Sequence, residues 1–180
     1  MYRKRIRMSR RLALLLSLVA ASGLAVSSAL ADEDDYQPPR LWQEGEVQLP
    51  PAPSREGLLP LYVSAATANK FFIDGASLSV GTDGVIRYVI VVETPGGARN
   101  VTFEGMRCET RERRIYASGR QDGSWSKARK DEWIRIQDAY ANRQHAALFL
   151  EYFCPLGNSV HSAAEARDAL VRGGHPDLRR

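Results

Sequence analysis

From residue 58 onward, short apolar runs alternate with turn residues, which is the pattern of an antiparallel sheet. Leu61 to Ala65 and Lys70 to Asp74 are the first two strand candidates. Ser77 to Val80 leads into Gly81-Thr82-Asp83-Gly84, where Asp-Gly is a hairpin-turn signal. Val85 to Val92 follows at once and is apolar on both pleat faces except at Arg87, so it is the expected central, most buried strand. Thr94-Pro95-Gly96-Gly97 turns the chain into Asn100 to Cys108, where Val101, Phe103 and Gly105 alternate with Thr102, Glu104 and Met106. That alternation predicts a half-exposed strand. Arg111 to Arg120 returns through Ile115-Tyr116-Ala117, and Gln121-Asp122-Gly123-Ser124 turns the chain again before Trp125. The sum is a β-meander of about five strands.

After Trp133-Ile134-Arg135-Ile136 the period lengthens: Ala139, Tyr140, Ala146, Ala147, Phe149, Leu150 and Phe153 give a helix with one apolar side. Pro155 disfavours helical geometry at Cys154, so the helix should stop at Phe153. Ser162-Ala163-Ala164-Glu165 is a capping-box pattern that opens a second, short helix, with a thin apolar face of Ala163, Ala166 and Leu170. Gly173-Gly174 and Pro176 end it, and the residues beyond Gly173 are expected to be mobile. The expected fold class is α+β: an antiparallel meander packed with one C-terminal helix over 58–157, then a short helix and tail over 158–180.

Residues 32–57 read differently. They open with Asp32, Glu33, Asp34 and Asp35 and carry Pro38, Pro39, Pro50, Pro51 and Pro53, which marks an extended acidic arm. Its only apolar points, Leu41-Trp42 and Val47, are expected to dock on the domain rather than wait for a partner. Ahead of the arm, residues 1–31 have the form of a cleaved export signal. Arg3, Lys4, Arg5, Arg7, Arg10 and Arg11 precede the apolar run Leu12 to Ala21, and Ala29-Leu30-Ala31 supplies an A-x-A cleavage site. Cleavage after Ala31 predicts a periplasmic product beginning at Asp32, with no stable membrane insertion. Ser9-Arg10-Arg11 partly matches a twin-arginine signal, but Ala13 stands where a bulky aromatic is usual, so ordinary export of the unfolded chain is expected.

The leader changes the meaning of the charge. The full chain carries a formal +4 and a pI near 9.3, yet six of its 25 basic residues and none of its 21 acids lie in the leader. What remains is 19 basic against 21 acidic residues, a net −2, which removes the argument for nucleic-acid binding. Both cysteines, Cys108 and Cys154, fall in the exported part, and an even pair in an oxidising compartment is most simply a disulfide. A redox dithiol fits poorly with such distant spacing and no C-x-x-C.

The block from Phe71 to Arg129, FFIDGASLSVGTDGVIRYVIVVETPGGARNVTFEGMRCETRERRIYASGRQDGSWSKAR, resembles the signature of the cryptic neisserial protein (CNP)-like family. The likeness continues through Ala147 to Pro155 and takes in both cysteines. It implies an exported Gram-negative periplasmic protein of uncharacterised role, and it supplies no catalytic residues. Some relatives are thought to be lipoproteins, whereas this chain has Asp32, not cysteine, after the cleavage site.

Familiar chemical motifs are missing. His145, His161 and His175 lack metal-site spacing and read as one helix-surface and two flexible tail histidines, so no metal or other cofactor is expected. Ser124-Trp125-Ser126-Lys127 matches S-x-x-K without its companion motifs. The suggestive cluster is Arg107, Arg111, Arg113 and Arg114 with Glu109 and Glu112 interleaved, and Trp125 nearby. Four arginines in eight residues suit a carboxylate or phosphate, while alternating signs suit a solvated strand face with cross-strand pairs. Two classes of function follow. The favoured one is a non-catalytic envelope binding module for a periplasmic or envelope protein, or for a cell-wall glycan or peptide. The other is a small hydrolase using Glu104 or Glu112 with nearby arginines, which requires a concave site and a carboxylate of raised pKa. On the first, deleting 32–57 should leave a folded domain that no longer captures its partner.

Overall fold

A computed structural model describes residues 41–139 and 143–178. The expected leader, the acidic run of the arm and Tyr140 lie outside the described residues. Eight strands form one sheet: β1 (Leu58–Leu61), β2 (Lys70–Asp74), β3 (Ser79–Val80), β4 (Val85–Glu93), β5 (Arg99–Arg107), β6 (Glu112–Gly119), β7 (Trp125–Lys127) and β8 (Ile134–Arg135). All pairings are antiparallel, in the order β1-β2-β4-β5-β6-β7, with β3 on β4 and β8 on β6. The fold is α+β with a meander at its centre. The first strand lies at Leu58–Leu61 rather than Leu61 to Ala65, because Leu58 to Leu61 pairs with Phe71 to Asp74 while the following residues leave the sheet.

β4 is the central strand. Ile86, Tyr88 and Ile90 face one layer and Arg87, Val89 and Val91 the other, all buried. The hairpin before it turns as the Asp-Gly pair requires: Gly84 has φ +76, and Asp83 caps the turn by accepting from the Val85 amide at 3.1 Å.

The first face is covered by helices. α1 (Arg143–Ala147) continues as a π-helical turn over Leu148–Phe153, where the Cys154 amide donates to the Phe149 carbonyl at 3.2 Å. α2 (Ala163–Val171) is capped by Ser162, whose hydroxyl accepts from the Glu165 amide at 3.2 Å. Cys108, just past β5, is disulfide-bonded to Cys154, 46 residues along the chain. The second face is covered by the arm. Residues 41–57 cross it without pairing as a strand; Val47 packs on Val89, Val91, Phe103 and Tyr116, and the Trp125 indole donates to the Pro50 carbonyl at 2.7 Å. Leu41 points away from this layer and is exposed.

Two expectations give way here. β5 is not half exposed along its length: with both faces covered, Phe103 to Met106 are all buried, and only the end near Arg99 and Asn100 is open. The chain beyond Gly173 is not loose at its start either. His175 is 2 % exposed, bonds Glu165 at 3.0 Å through Nε2, and donates its amide to the Glu151 carbonyl at 2.7 Å.

Candidate functional site

The helix-covered face contains a buried polar cluster at one end of a cleft. Glu104 on β5 and Tyr88 on β4 are register partners, and both side chains point toward α1. His145, in the first turn of α1, meets them there. Glu104 Oε2 accepts from His145 Nε2 at 2.8 Å and from the Tyr88 hydroxyl at 3.2 Å, and Oε1 accepts from the Thr102 hydroxyl at 2.7 Å. Burial alone would raise the Glu104 pKa, but the charge and hydrogen bond of His145, the Thr102 hydroxyl and the charge of Arg113 outweigh it. The carboxyl is held below its ordinary value of 4.5. An ionised carboxylate can only accept, so His145 Nε2 carries the shared proton. Burial, with the adjacent Glu104 charge, pushes the Tyr88 phenol well up and keeps it a donor.

Beyond this cluster opens a cleft of about 410 Å³ between β2, β4, β5, β6 and the start of α1. Ser64, Thr67, Asn69, Asn100, Arg113, Arg143 and Gln144 supply its polar groups, and Phe71, Ile90, Val92 and Ile115 most of its apolar wall. His145 Nδ1 is buried and has no hydrogen-bond partner among the described residues.

The arginine cluster does not converge. Arg113 enters the helix-side cleft, while Arg114, next to it on the strand, crosses to the arm face and pairs with Glu44 and with Asp131 at 3.2 Å. Arg107 pairs across the strands with Glu112 at 3.6 Å and stacks 3.6 Å over the Trp42 ring, with Trp133 beyond. Arg111 sits at the turn into β6 with φ 55, its guanidinium 5.1 Å from the Phe149 ring centre. Trp125 belongs to the arm-face core beside Phe103.

On that arm face, Glu44 reaches Arg114, the Tyr116 hydroxyl and Arg87, the last at 3.7 Å. A β-bulge aims the phenol: the register shifts between Phe103 and Glu104, so Tyr116 has no partner opposite it and lies over Gly105. Asp83 holds Arg87 at 2.6 Å and also accepts from the Gly45 amide at 2.7 Å. Against the opposing pull of burial, these bonds lower the Asp83 pKa to about 2.

His145 is therefore not on the helix surface, contrary to expectation. The signal was present in the sequence: His145, Leu148, Phe149 and Tyr152 stand at i, i+3, i+4 and i+7, one face of a helix. The hydrolase reading meets its geometric requirement at Glu104 and misses its electrostatic one, since that pKa is lowered, not raised. Among the described residues, no group of three or more histidine, cysteine, aspartate or glutamate side chains is placed to hold a metal, and no helix is long and apolar enough to cross a membrane.

The family model described as the CNP1-like family matches residues 37–171, which spans both faces of the sheet, the disulfide and the helix-side cleft. No curated protein and no solved structure matches the chain.

Proposed function

The chain belongs to the CNP1-like family, and from that premise we propose that it is an exported envelope protein that acts by binding, with the helix-side cleft as its site. The observation that carries this reading is the cleft itself. A buried acid that accepts three hydrogen bonds closes one end, and arginine, amide, hydroxyl and apolar side chains line the rest. A mostly polar lining beside the apolar wall of Phe71, Ile90, Val92 and Ile115 suits a polar ligand with an apolar edge, and the volume suits a small molecule or a short segment of a polymer. Export is supported by the form of residues 1–31 and by the Cys108–Cys154 disulfide, which belongs to an oxidising compartment. In that compartment the polymer within reach of an amide-lined cleft is the cell wall, with its glycan and peptide chains.

The catalytic alternative has thinner support. Glu104 is ionised and already accepts three hydrogen bonds. Among the described residues no hydroxyl or thiol hydrogen-bonds His145, and Glu112 lies at the turn paired with Arg107. An interaction with an envelope protein has one further candidate element, the acidic run Asp32 to Asp35.

The test is an amide-resolved NMR titration of the mature chain, residues 32–180, with soluble fragments of enzymatically digested peptidoglycan. Saturable shifts confined to Asn69, Asn100, Thr102, Arg113 and Gln144 are expected. Shifts elsewhere with these five unmoved would remove the cleft as the site. Cell fractionation with mass determination of the mature N-terminus tests the export reading, with Asp32 as the expected first residue.

A further inference from the structure

We infer that the cleft recognises a free carboxylate next to an acyl amide, as at the C-terminus of an N-acylated peptide, with Arg113 as the residue that binds the carboxylate. This rests on the cleft being the binding site, and it goes further by naming the chemistry of what enters.

The argument begins with which groups are already committed. Glu104 already accepts three hydrogen bonds, one at Oε1 from Thr102 and two at Oε2 from His145 and Tyr88, and it is 2 % exposed, so an incoming ligand has little access to it. The arginines nearby are also committed. Arg87 holds Asp83, Arg99 faces Glu93 at 3.8 Å, Arg107 faces Glu112, and Arg114 holds Glu44 and Asp131. Arg113 is different. Among the described residues its side chain makes no ion pair and no hydrogen bond, and its charge is felt only at longer range by Glu104 and Tyr88. A half-buried guanidinium with its fork open is a bidentate carboxylate receptor.

The rest of the lining narrows the class. Arg143 at the rim is paired with Asp138 at 4.0 Å, so the open positive charge is that of Arg113, and the ligand it suits is an anion. Asn69, Asn100 and Gln144 carry primary amides whose side chains make no hydrogen bond among the described residues, and each can both donate to and accept from an acyl amide. Phe71, Ile90, Val92 and Ile115 provide an apolar wall that a bare inorganic anion would not use but a methyl-bearing residue would. A space of about 410 Å³ has room for a short acylated peptide and none for a folded partner. The Glu104–His145–Tyr88–Thr102 cluster then acts as a positioning group: by fixing His145 it fixes the first turn of α1, which carries Arg143 and Gln144 to the rim.

The probe set is N-acetyl-D-alanyl-D-alanine, its C-terminal amide, and N-acetylmuramic acid, which places a carboxylate and an acetamido group on a sugar. Each is titrated into the mature chain and into Arg113→Gln and Arg113→Lys variants, with NMR shifts as readout and thermal melting to verify the fold. The expected result is saturable binding of the peptide acid in the cleft, at least tenfold weaker binding of the amide, tenfold or greater loss in Arg113→Gln and partial recovery in Arg113→Lys, with melting unchanged. Binding by N-acetylmuramic acid alone keeps the carboxylate chemistry and overturns the peptide assignment. Equal binding of acid and amide, or full binding by Arg113→Gln, overturns carboxylate recognition while leaving the cleft as a site. If none of the three moves the cleft resonances but peptidoglycan fragments do, the carboxylate inference fails and the broader reading stands. If nothing moves them, both fail.

Discussion

At the scale of single residues, the chemistry most open to test is the pair of depressed carboxylates. Glu104 and Asp83 have ordinary values of 4.5 and 3.8, and both are lowered in the folded protein, Asp83 to about 2. A group whose pKa is lower when folded contributes stability above its unfolded value and loses it as pH falls through the folded value. Acid unfolding should therefore begin below about pH 4.5 and steepen toward pH 2. Replacing Glu104 by Gln removes the charged partner of a buried histidine and should cost about 1–3 kcal/mol at neutral pH. Urea unfolding at pH 7 and at pH 3 checks the cause, because the penalty should shrink below the ordinary value of 4.5, where the carboxyl of the unfolded chain takes up its proton more readily than that of the folded one. An equal penalty at both would mean that Glu104 is not held ionised. A second test concerns Gly105. A Cβ there would come within 2.9 Å of Tyr116 Cε2 and Cζ, so Gly105→Ala must push the phenol off Glu44. Overpacking of this kind costs about 1–3 kcal/mol, and Tyr116→Phe introduced alongside should recover only part of it, since it removes the hydroxyl, the atom nearest the new Cβ, but leaves the ring carbons at 2.9 Å. Little of this pairing was legible beforehand. The acid in register with Met106 and Thr102 was visible, and so was the helical stripe containing His145, but their meeting depends on how α1 lies on the sheet, which no local pattern encodes.

At the scale of elements, legibility follows how local the determinants are. β2 was placed to the residue, and β4 to within one, because alternating apolar residues and an Asp-Gly turn act through adjacent positions. β3, two residues long, falls within the Ser77 to Val80 arm of the expected hairpin, whereas β8, also two residues, pairs only with the start of β6 and has no pattern of its own to read. The helix end was legible for a covalent reason. Pro155 stops the winding at Cys154, and the disulfide then ties the π turn to the end of β5. Opening that loop of 46 residues by a Cys108→Ala, Cys154→Ala double substitution should cost about 4 kcal/mol in the chain-entropy picture, less whatever order the reduced unfolded chain keeps. Equilibrium unfolding of the oxidised and double-variant proteins measures it. A difference under about 1 kcal/mol would mean that the buried packing of Phe149, Tyr152 and Phe153 seats the turn without the bond.

At the scale of the whole molecule, the arm decides whether the sheet is one-sided or two-sided. Residues 32–57 read as a detachable extension because prolines and scattered apolar points give no period, and on that reading a chain beginning at Leu58 folds unaided. The packing of residues 41–57 points the other way. Val89, Val91, Phe103 and Tyr116 form a second core whose cover includes Val47, and the Trp42, Glu44, Gly45 and Pro50 contacts are made one residue at a time. Single-residue anchors such as these leave almost no trace in a sequence. Partial exposure of four apolar side chains, each contributing about 1.5–3 kcal/mol when fully buried, should lower stability by about 4 kcal/mol or more. Compared with a chain beginning at Asp32, the chain beginning at Leu58 should melt roughly 10 °C lower, and its uncovered face should bind a hydrophobic dye and associate. The same shortened chain should keep its cleft, because Arg113, Glu104 and His145 lie on the opposite face and no described residue of the arm lines it. Calorimetry, dye fluorescence and the titration of the peptide acid on one pair of proteins separate the two layers. Unchanged melting without dye binding would show that the sheet is self-sufficient and the arm only rests on it. Lost stability with ligand binding retained would show two faces built for different ends, one a structural seam closed by the chain's own arm and the other open to what the protein binds.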